Sequence, residues 1–449
     1  MIGQNKILSK LRTVILKSQA EQTEAIFIGK NYGLTRYANS YIHQNVAQND
    51  TTVYFRAAID GKVGVASTNS LAQENLMRTM RLALEIAKRQ PANPDFKGFP
   101  KPAEYKDIET YFEPTAKYTP KQRAEVVKKI CDGAAKSKVT VAGAFSTSAS
   151  EIAVVNSNGV SAYQPLTSAS INIVAMSDTS SGFASGMSRR VVKIPFANLT
   201  ETAIRKCLDS QNPGELKPGK YDVILEPAAI AEIMNWMTYI GFGAKPYLEN
   251  TSFMSKKLGK KAMSPDITIY DDGNNTSGMA MPFDFEGVPK KKTFLIRRGL
   301  IGKPVYDSLY AFRDNKRSTG HAMLPGGNDG PMAGNIFIAA GKKSKESLIN
   351  SVKNGILVTR FHYINGLLNT TKTVMTGMTR DGTFLIKNGK VVGAVKNLRF
   401  TESITRAFSR VGGVSRDTSL VPNWWDDIGC CSSPTILIRK FNFSGKTDF

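Results

Sequence analysis

The chain has 449 residues, 41% of them hydrophobic, enough to bury a substantial core and longer than one typical domain, so two or three domains are expected. No apolar run approaches the ~18–20 residues that span a bilayer, which argues against a transmembrane helix. Sixty Lys and Arg against 37 Asp and Glu give a formal charge of +23, a field that favours acidic partners and non-specific contact with nucleic acid.

Near the start, Leu8, Leu11 and Ile15 share one helical face, while Lys6, Lys10, Arg12 and Lys17 interrupt the apolar run and no small-residue cleavage site follows. An amphipathic, core-facing helix is expected rather than a signal peptide, and residence in the cytoplasm. Short β-rich runs follow at residues 25–28, 51–57 and 62–66, the last two joined by Asp60-Gly61, a strong hairpin signal because both residues tolerate positive φ. A helix comes next, with Ser70 and Gln73 placed for a capping box and Leu76, Met80, Ala83, Leu84 and Ala87 along one stripe. Pro91, Pro94, Pro100, Pro102 and Pro114 then mark a linker.

Thr119-Pro120 opens a second unit, a threonine cap with proline at the first helical position. The helix runs to about residue 137, and strands are expected at 139–147, 152–156, 160–164 and 170–176, with Asn158-Gly159 as the central turn. Their Ser, Thr and Ala content suits an antiparallel sheet with one wet face. A helix over residues 200–210 closes the unit.

From Gly219 the chain turns β-rich again. Val223-Ile224-Leu225 forms a strand, followed by a helix from residue 227 to about 240. Strands are expected at 267–270, 293–297, 336–340, 355–361, 383–386 and 391–395, with Asn388-Gly389 as a turn, a helix over 402–408 and a final strand over 434–443. Strands do not alternate regularly with crossover helices, so a doubly wound sheet is excluded. The expected fold class is α+β, a β-rich multi-domain chain with antiparallel and mixed sheets. Its divisions are an N-terminal α+β domain (1–90), the linker (91–117), a central α+β domain (118–216) and a large β-rich C-terminal domain (217–449).

Chemistry-bearing residues are sparse. The three histidines, His43, His321 and His362, are far apart, so no helix face presents two of them to a metal. Cys131 and Cys207 fall in expected helices, and the adjacent Cys430 and Cys431 have no second pair to complete a zinc site, so structural roles are expected for all four. There is no Gly-x-Ser-x-Gly elbow. Paired acids at Asp271-Asp272, Asp284/Glu286 and Asp426-Asp427 could suggest acid–base work; Asp284 and Glu286 flank Phe285 and would share a face of an extended segment. The Gly-rich run from Pro325 to Pro331 lacks the lysine and hydroxyl of a phosphate loop and reads as a flexible loop beside a cleft. Basic clusters at Lys256-Lys257, Lys260-Lys261, Lys290-Lys291-Lys292 and Arg297-Arg298 come with no helix-turn-helix, zinc finger or RNA-recognition motif.

One ordered set of segments is specific in combination. It comprises Ser264-Pro265-Asp266-Ile267-Thr268-Ile269-Tyr270-Asp271-Asp272, Pro282-Phe283-Asp284-Phe285-Glu286-Gly287-Val288, Arg298-Gly299-Leu300, Tyr306-Asp307-Ser308 and Ser318-Thr319-Gly320-His321-Ala322. Val374 to Phe384 and the closing Ser433-Pro434-Thr435-Ile436-Leu437-Ile438 extend it. The set resembles the TldD/PmbA family, whose active members are metallopeptidases that trim small, loosely folded peptides, and the resemblance covers most of the chain.

Active members of that family carry a His-Glu-x-x-x-His zinc motif on a helix after a strand like residues 222–227, and this chain has no such motif. Counted from Pro227, the motif positions fall on Asn235, Trp236 and Ile240. The family's cysteine ligand also lies near the C-terminus, but Cys430-Cys431 comes later than that ligand is expected. The resemblance therefore implies the TldE/PmbA branch: a non-catalytic subunit with no metal or catalytic residue of its own, with zinc expected only in a TldD-like partner. It further implies a heterodimer with that zinc-bearing paralogue, otherwise a homodimer, and an extended peptide as substrate, with no membrane association. Tyr239, Asp284, Glu286, Thr319, His321 and Asn335 are the candidates for a peptide cleft. The alternatives are a freestanding binding protein for acidic partners, nucleic acid or acidic peptide, and a peptidase with an unrecognised site.

Overall fold

A computed structural model describes residues 1–424 and 429–447, so the acidic pair Asp426-Asp427 lies outside the described residues. Helix α1 (Gln4–Ile15) buries Ile7, Leu8, Leu11, Val14 and Ile15, the stripe its apolar spacing foretells. Strands β1 (Gln22–Ala38), β2 (Tyr41–Ile59) and β3 (Lys62–Thr68) follow, then α2 (Gln73–Arg89). Asp60 and Gly61 take φ of 50° and 71° in the β2–β3 turn, as a two-residue hairpin loop demands. The expected capping box of α2 does not form. Ala72 is the N-cap, and the Ser70 hydroxyl instead accepts from the Ala72 N–H and the Asn75 side chain, at 3.3 and 2.9 Å.

After the short helix α3 (Glu113–Ala116), α4 (Pro120–Lys136) starts on a full capping box between Thr119 and Gln122. Strands β4 (Thr140–Asn156), β5 (Ser161–Met176) and β6 (Ser181–Ser188) and helix α5 (Phe196–Asp209) complete this half. The four short strands expected here are two long ones, because β4 and β5 run unbroken through segments rich in small polar residues. All six strands form one antiparallel sheet in the order β3-β2-β1-β4-β5-β6. The β1–β4 ladder, from Glu24 opposite Asn156 to Tyr37 opposite Gly143, joins the strands of the N-terminal and central segments. The proline-rich passage lies against this sheet: Phe99 and Thr110 are buried, and the Thr110 hydroxyl donates to the Pro165 carbonyl at 2.7 Å.

The C-terminal half begins with β7 (Gly219–Leu225) and α6 (Pro227–Met237), which passes into a π-helical turn over Thr238–Phe242, so the expected helix is three residues shorter in α form. Then come α7 (Ala244–Leu248), β8 (Ile269–Asp271), β9 (Thr293–Arg297), β10 (Leu300–Ile301), α8 (Ser308–Arg313), β11 (Asn335–Ile338) and α9 (Lys345–Asn350). The chain ends through β12 (Asn354–Asn369), β13 (Val374–Lys387), β14 (Lys390–Ala394), β15 (Leu398–Ser403), α10 (Ile404–Phe408), β16 (Val411–Pro422) and β17 (Cys430–Lys446). These strands make one mixed sheet in the order β10-β9-β8-β11-β17-β15-β13-β12-β7. Because β7 also pairs with β17, the last five strands of that path close into a ring. The core includes Phe361, Phe400, Phe441 and Phe443, and α6 is buried on nearly every side, as its apolar sequence requires. The fold is α+β with a sheet-rich C-terminal region. Among the described residues no helix is long and apolar enough to cross a membrane.

Candidate functional site

Helix α6 organises the site. Pro227 fills its first position, where a missing N–H costs nothing, and Ala229, Ile230, Ile233 and Met237 anchor the helix in the core. Its third turn carries the positions marked in the sequence. Asn235 is 5% exposed and Ile240, in the π-helical turn, 4%. Trp236 is half-buried between them, its ring at 6.1 Å from that of Tyr239 and 5.4 Å from that of Trp424, both edge-to-face. Trp424 donates its indole N–H to Glu232, one turn earlier on α6, at 3.1 Å. Burial lifts the Glu232 carboxyl to about 7, against the opposing pull of Arg360 and the Trp424 bond.

These side chains do not fit a catalytic zinc. Asn235, Trp236 and Ile240 offer an amide, an indole and an alkyl group, whereas zinc needs about three nitrogen, sulfur or carboxylate ligands converging on one point. No group of three or more His, Cys, Asp or Glu among the described residues is placed to hold a metal ion. His43 is exposed on β2, His362 is half-buried on β12, and His321 is fully enclosed elsewhere.

Five of the six cleft candidates belong to two buried networks apart from α6. In the first, His321 stands 2.9 Å from both the Asp271 carboxylate and the Thr319 hydroxyl. The second Asp271 oxygen accepts the N–H groups of Gly334 and Asn335, and Asn335 donates to the Asp272 carbonyl. Burial lowers the His321 pKa although Asp271 opposes it. In the second network, Asp284 accepts three backbone N–H groups, from Glu286, Val288 and Ala322, at 2.8–2.9 Å. Burial and then Glu286 push its carboxyl up to about 7. Glu286 accepts the Ser308 N–H at 3.0 Å and faces Arg56 of β2 at 3.3 Å, while Arg56 bridges to the fully buried Glu24 at 2.6 Å. Asp284 and Asn335 both line a small cavity of ≈ 40 Å³. Tyr239 is the candidate that lies on the α6 segment, 36% exposed.

A larger cleft of ≈ 380 Å³ opens at the N-terminal end of α6, between β6 and α5 on one side and β12, β16 and β17 on the other. Its lining includes Phe183, Lys206, Pro227, Lys345, Thr359 and Val421. At its base Glu226 accepts from Lys206 at 2.5 Å and from Lys345, so one carboxylate ties α5 to α9. Burial works against the Glu226 charge, yet Lys206 and Lys345 hold its carboxyl at about 2; burial also lowers the Lys206 pKa. Two polar atoms along α6 are buried with no hydrogen-bond partner, the Thr359 hydroxyl in this cleft and the Trp236 indole N–H further along. Sequence reasoning missed Glu226, Lys206, Lys345 and Thr359. Glu226 was visible only as the residue before the helix-opening proline, and its lysines are 20 and 119 residues away.

Comparison with known proteins matches the chain in three consecutive parts. Residues 24–87 match the PmbA/TldA metallopeptidase domain 1, residues 113–211 its central domain and residues 218–445 its C-terminal domain. A Methanocaldococcus jannaschii protein with no assigned role is 24% identical over 342 residues, 75% of this chain and 78% of that protein. The metalloprotease TldD homolog of Buchnera aphidicola is 28% identical over 225 residues, 49% of this chain and 46% of its own, so about half of that relative is spanned. TldE from Thermococcus kodakarensis has the same fold, with a TM-score of 0.88 at 21% identity over 98% of this chain and 99% of that one.

Proposed function

This chain belongs to the PmbA/TldD metallopeptidase family, and from that premise we propose that it is the non-catalytic, TldE/PmbA-like subunit of a two-subunit peptidase. One observation carries the proposal. On the helix where active members place their zinc ligands, Asn235 and Ile240 are buried and Trp236 is packed against Tyr239 and Trp424, and none of the three offers an imidazole, thiolate or carboxylate to a metal. The zinc and its activated water then belong to a TldD-like paralogue, and the pair acts in the cytoplasm.

This subunit helps hold an extended peptide. Strand β12 pairs with β7 through Gly355–Val358 only, since β7 ends at Leu225 where α6 begins. Beyond Val358 its pairing with β13 is also irregular, and Tyr363, Leu367 and Leu368 are 79%, 57% and 53% exposed. A partly paired strand with apolar side chains beside an aromatic cluster suits strand addition, by a substrate or by the partner subunit. The cleft at the head of α6, with the unpartnered Thr359 hydroxyl, lies along the same helix.

Co-expression with a zinc-bearing paralogue from the same genome tests the proposal. A stable heterodimer, zinc confined to the paralogue and peptide hydrolysis by the pair are expected; without the paralogue, the chain self-associates and is inactive. Failure of the two chains to associate at micromolar concentration would defeat the subunit reading.

A further inference from the structure

The basic doublets scattered through residues 256–303 come together on one edge of the C-terminal sheet. Strand β10 is the last strand on that side, paired with β9. The chain ahead of β8 folds back onto it: Gly259 N–H donates to the Ile301 carbonyl, Ile301 N–H to the Lys260 carbonyl, and Lys261 bridges Leu300. Lys256, Lys257, Lys260 and Lys261 are thereby brought to the β9–β10 hairpin, where Arg297 ends β9 and Arg298 opens the turn. Lys291 and Lys292 lead into β9, and Lys303, leaving β10, donates its N–H to the Phe294 carbonyl. All of these cations are exposed.

All but Lys292 are also without an acidic partner in ion-pair range among the described residues; Lys292 has Asp272 at 3.4 Å. Some surface cations elsewhere sit against acids, as in Lys128–Asp132 at 2.7 Å and the pairing of Lys396 and Lys446 with Glu215, each at 2.8 Å, and others such as Lys121 and Lys129 do not; what sets this edge apart is how many cations it gathers in one place.

We propose that this edge binds the phosphodiester backbone of duplex nucleic acid without regard to sequence. Phosphates in series suit a row of unpaired cations on long stems, and the +23 net charge steers such a partner in. A single strand would need aromatic faces on which to stack its bases, and the rings here are covered. The Lys292 ammonium lies 4.0 Å above Tyr270, whose ring also stacks on Phe337 at 5.3 Å, and the Arg297 guanidinium lies 5.0 Å above Phe294. An acidic peptide would need apolar anchors, and the large apolar side chains exposed among the cations are Leu258 and Leu300. The inference does not depend on the subunit reading, because no residue of the edge belongs to the α6 site.

The test is fluorescence anisotropy of a labelled 20-base-pair DNA of arbitrary sequence, titrated with the full chain from low to moderate salt. Binding should weaken steeply, with log K falling against log salt by ~0.9 per phosphate contact. Combined Lys260→Gln, Lys261→Gln, Arg297→Gln and Arg298→Gln substitutions should cut affinity by at least about tenfold and lower the slope by about four. A charge-matched control on the exposed residues of α4 and nearby, Lys121→Gln, Lys129→Gln, Lys136→Gln and Lys193→Gln, should change affinity less than about twofold, with circular dichroism confirming both folds. Equal losses in the two variants would mean diffuse charge and overturn the site. Absence of duplex binding by the unmodified chain at low salt, or tighter binding of the matching single strand or of polyglutamate, would overturn the assignment to duplex.

Discussion

Gly366 of β12 faces the Trp236 ring so closely that a Cβ built on it would lie 2.6 Å from the indole Cε3. The glycine makes room for the Trp236 indole, so this ring is seated in a prepared space. Gly366→Val should expel Trp236 from that seat at a cost of about 1–3 kcal/mol, the usual range for overpacking. The readouts are a lowered denaturation midpoint and a red-shifted tryptophan emission. An unchanged spectrum and midpoint would show that the contact constrains nothing.

Restoring the motif letters should not restore a metal. The triple variant Asn235→His, Trp236→Glu, Ile240→His puts polar groups where the helix is buried, and Ile240 is 4% exposed. The acid one turn earlier on the helix, Glu232, already accepts the Trp424 indole N–H at 3.1 Å, and the new imidazoles would also need second partners to orient them. Elemental analysis of the tag-free variant should find far less than one zinc per chain, and thermal denaturation should show a loss of about 2–5 kcal/mol. One tightly held zinc would mean that the site was lost by these three residues alone.

Arg56 joins the N-terminal sheet to the C-terminal half by bridging Glu24 at 2.6 Å and Glu286 at 3.3 Å. Arg56→Met leaves both carboxylates buried without their cation, which should cost about 3–5 kcal/mol. Adding Glu24→Gln to that variant should recover part of the loss, because one uncompensated charge is gone. Urea midpoints of the single and double variants decide it, and additive losses would refute the coupling.

Burial, opposed in part by Arg56, pushes the Glu24 carboxyl up to about 7, and burial followed by Glu286 does the same for Asp307. A raised carboxyl pKa means that the folded chain holds protons which the unfolded chain, at the ordinary carboxyl values of 4.5 and 3.8, has released. The stabilisation from these groups is complete below about 4, falls as pH rises to about 7 and is flat beyond. Stability should therefore decline between about pH 4 and pH 7, and Asp307→Asn should flatten that decline while keeping the cap on the Tyr310 N–H, now at 2.7 Å. Stability that rises with pH over this window, with no effect of the substitution, would contradict the assignment.

Local signals in the sequence carried much of the fold. Asp60-Gly61 and Asn388-Gly389 mark turns because few residues tolerate the positive φ required, and both pairs adopt it. Thr119, Pro120 and Gln122 specify a helix start through bonds spanning three residues. The Ser70 expectation failed for the converse reason: a serine hydroxyl has several backbone and side-chain donors in reach, and here the Ala72 N–H and Asn75 amide win. The β1–β4 ladder, the β7–β17 closure of the ring and the meeting of Glu226 with Lys345 were not legible, since each joins residues more than 100 positions apart. The apolar run Val223-Ile224-Leu225 and the following Pro227 located β7 and α6 because a strand, a proline and a helix are local signals. They could not disclose Trp424 on Glu232 or the convergence of the basic doublets on β10, which only the folded sheet brings together.

Peptide hydrolysis by the reconstituted pair tests the central claim most directly. This chain, its zinc-bearing paralogue and an equimolar mixture would each be incubated with a short unstructured peptide, and cleavage followed by mass spectrometry. The expected result is no cleavage by this chain alone and cleavage by the mixture well above that of the paralogue alone. Cleavage by this chain without the paralogue, or a mixture no more active than the paralogue by itself, would contradict a non-catalytic subunit role.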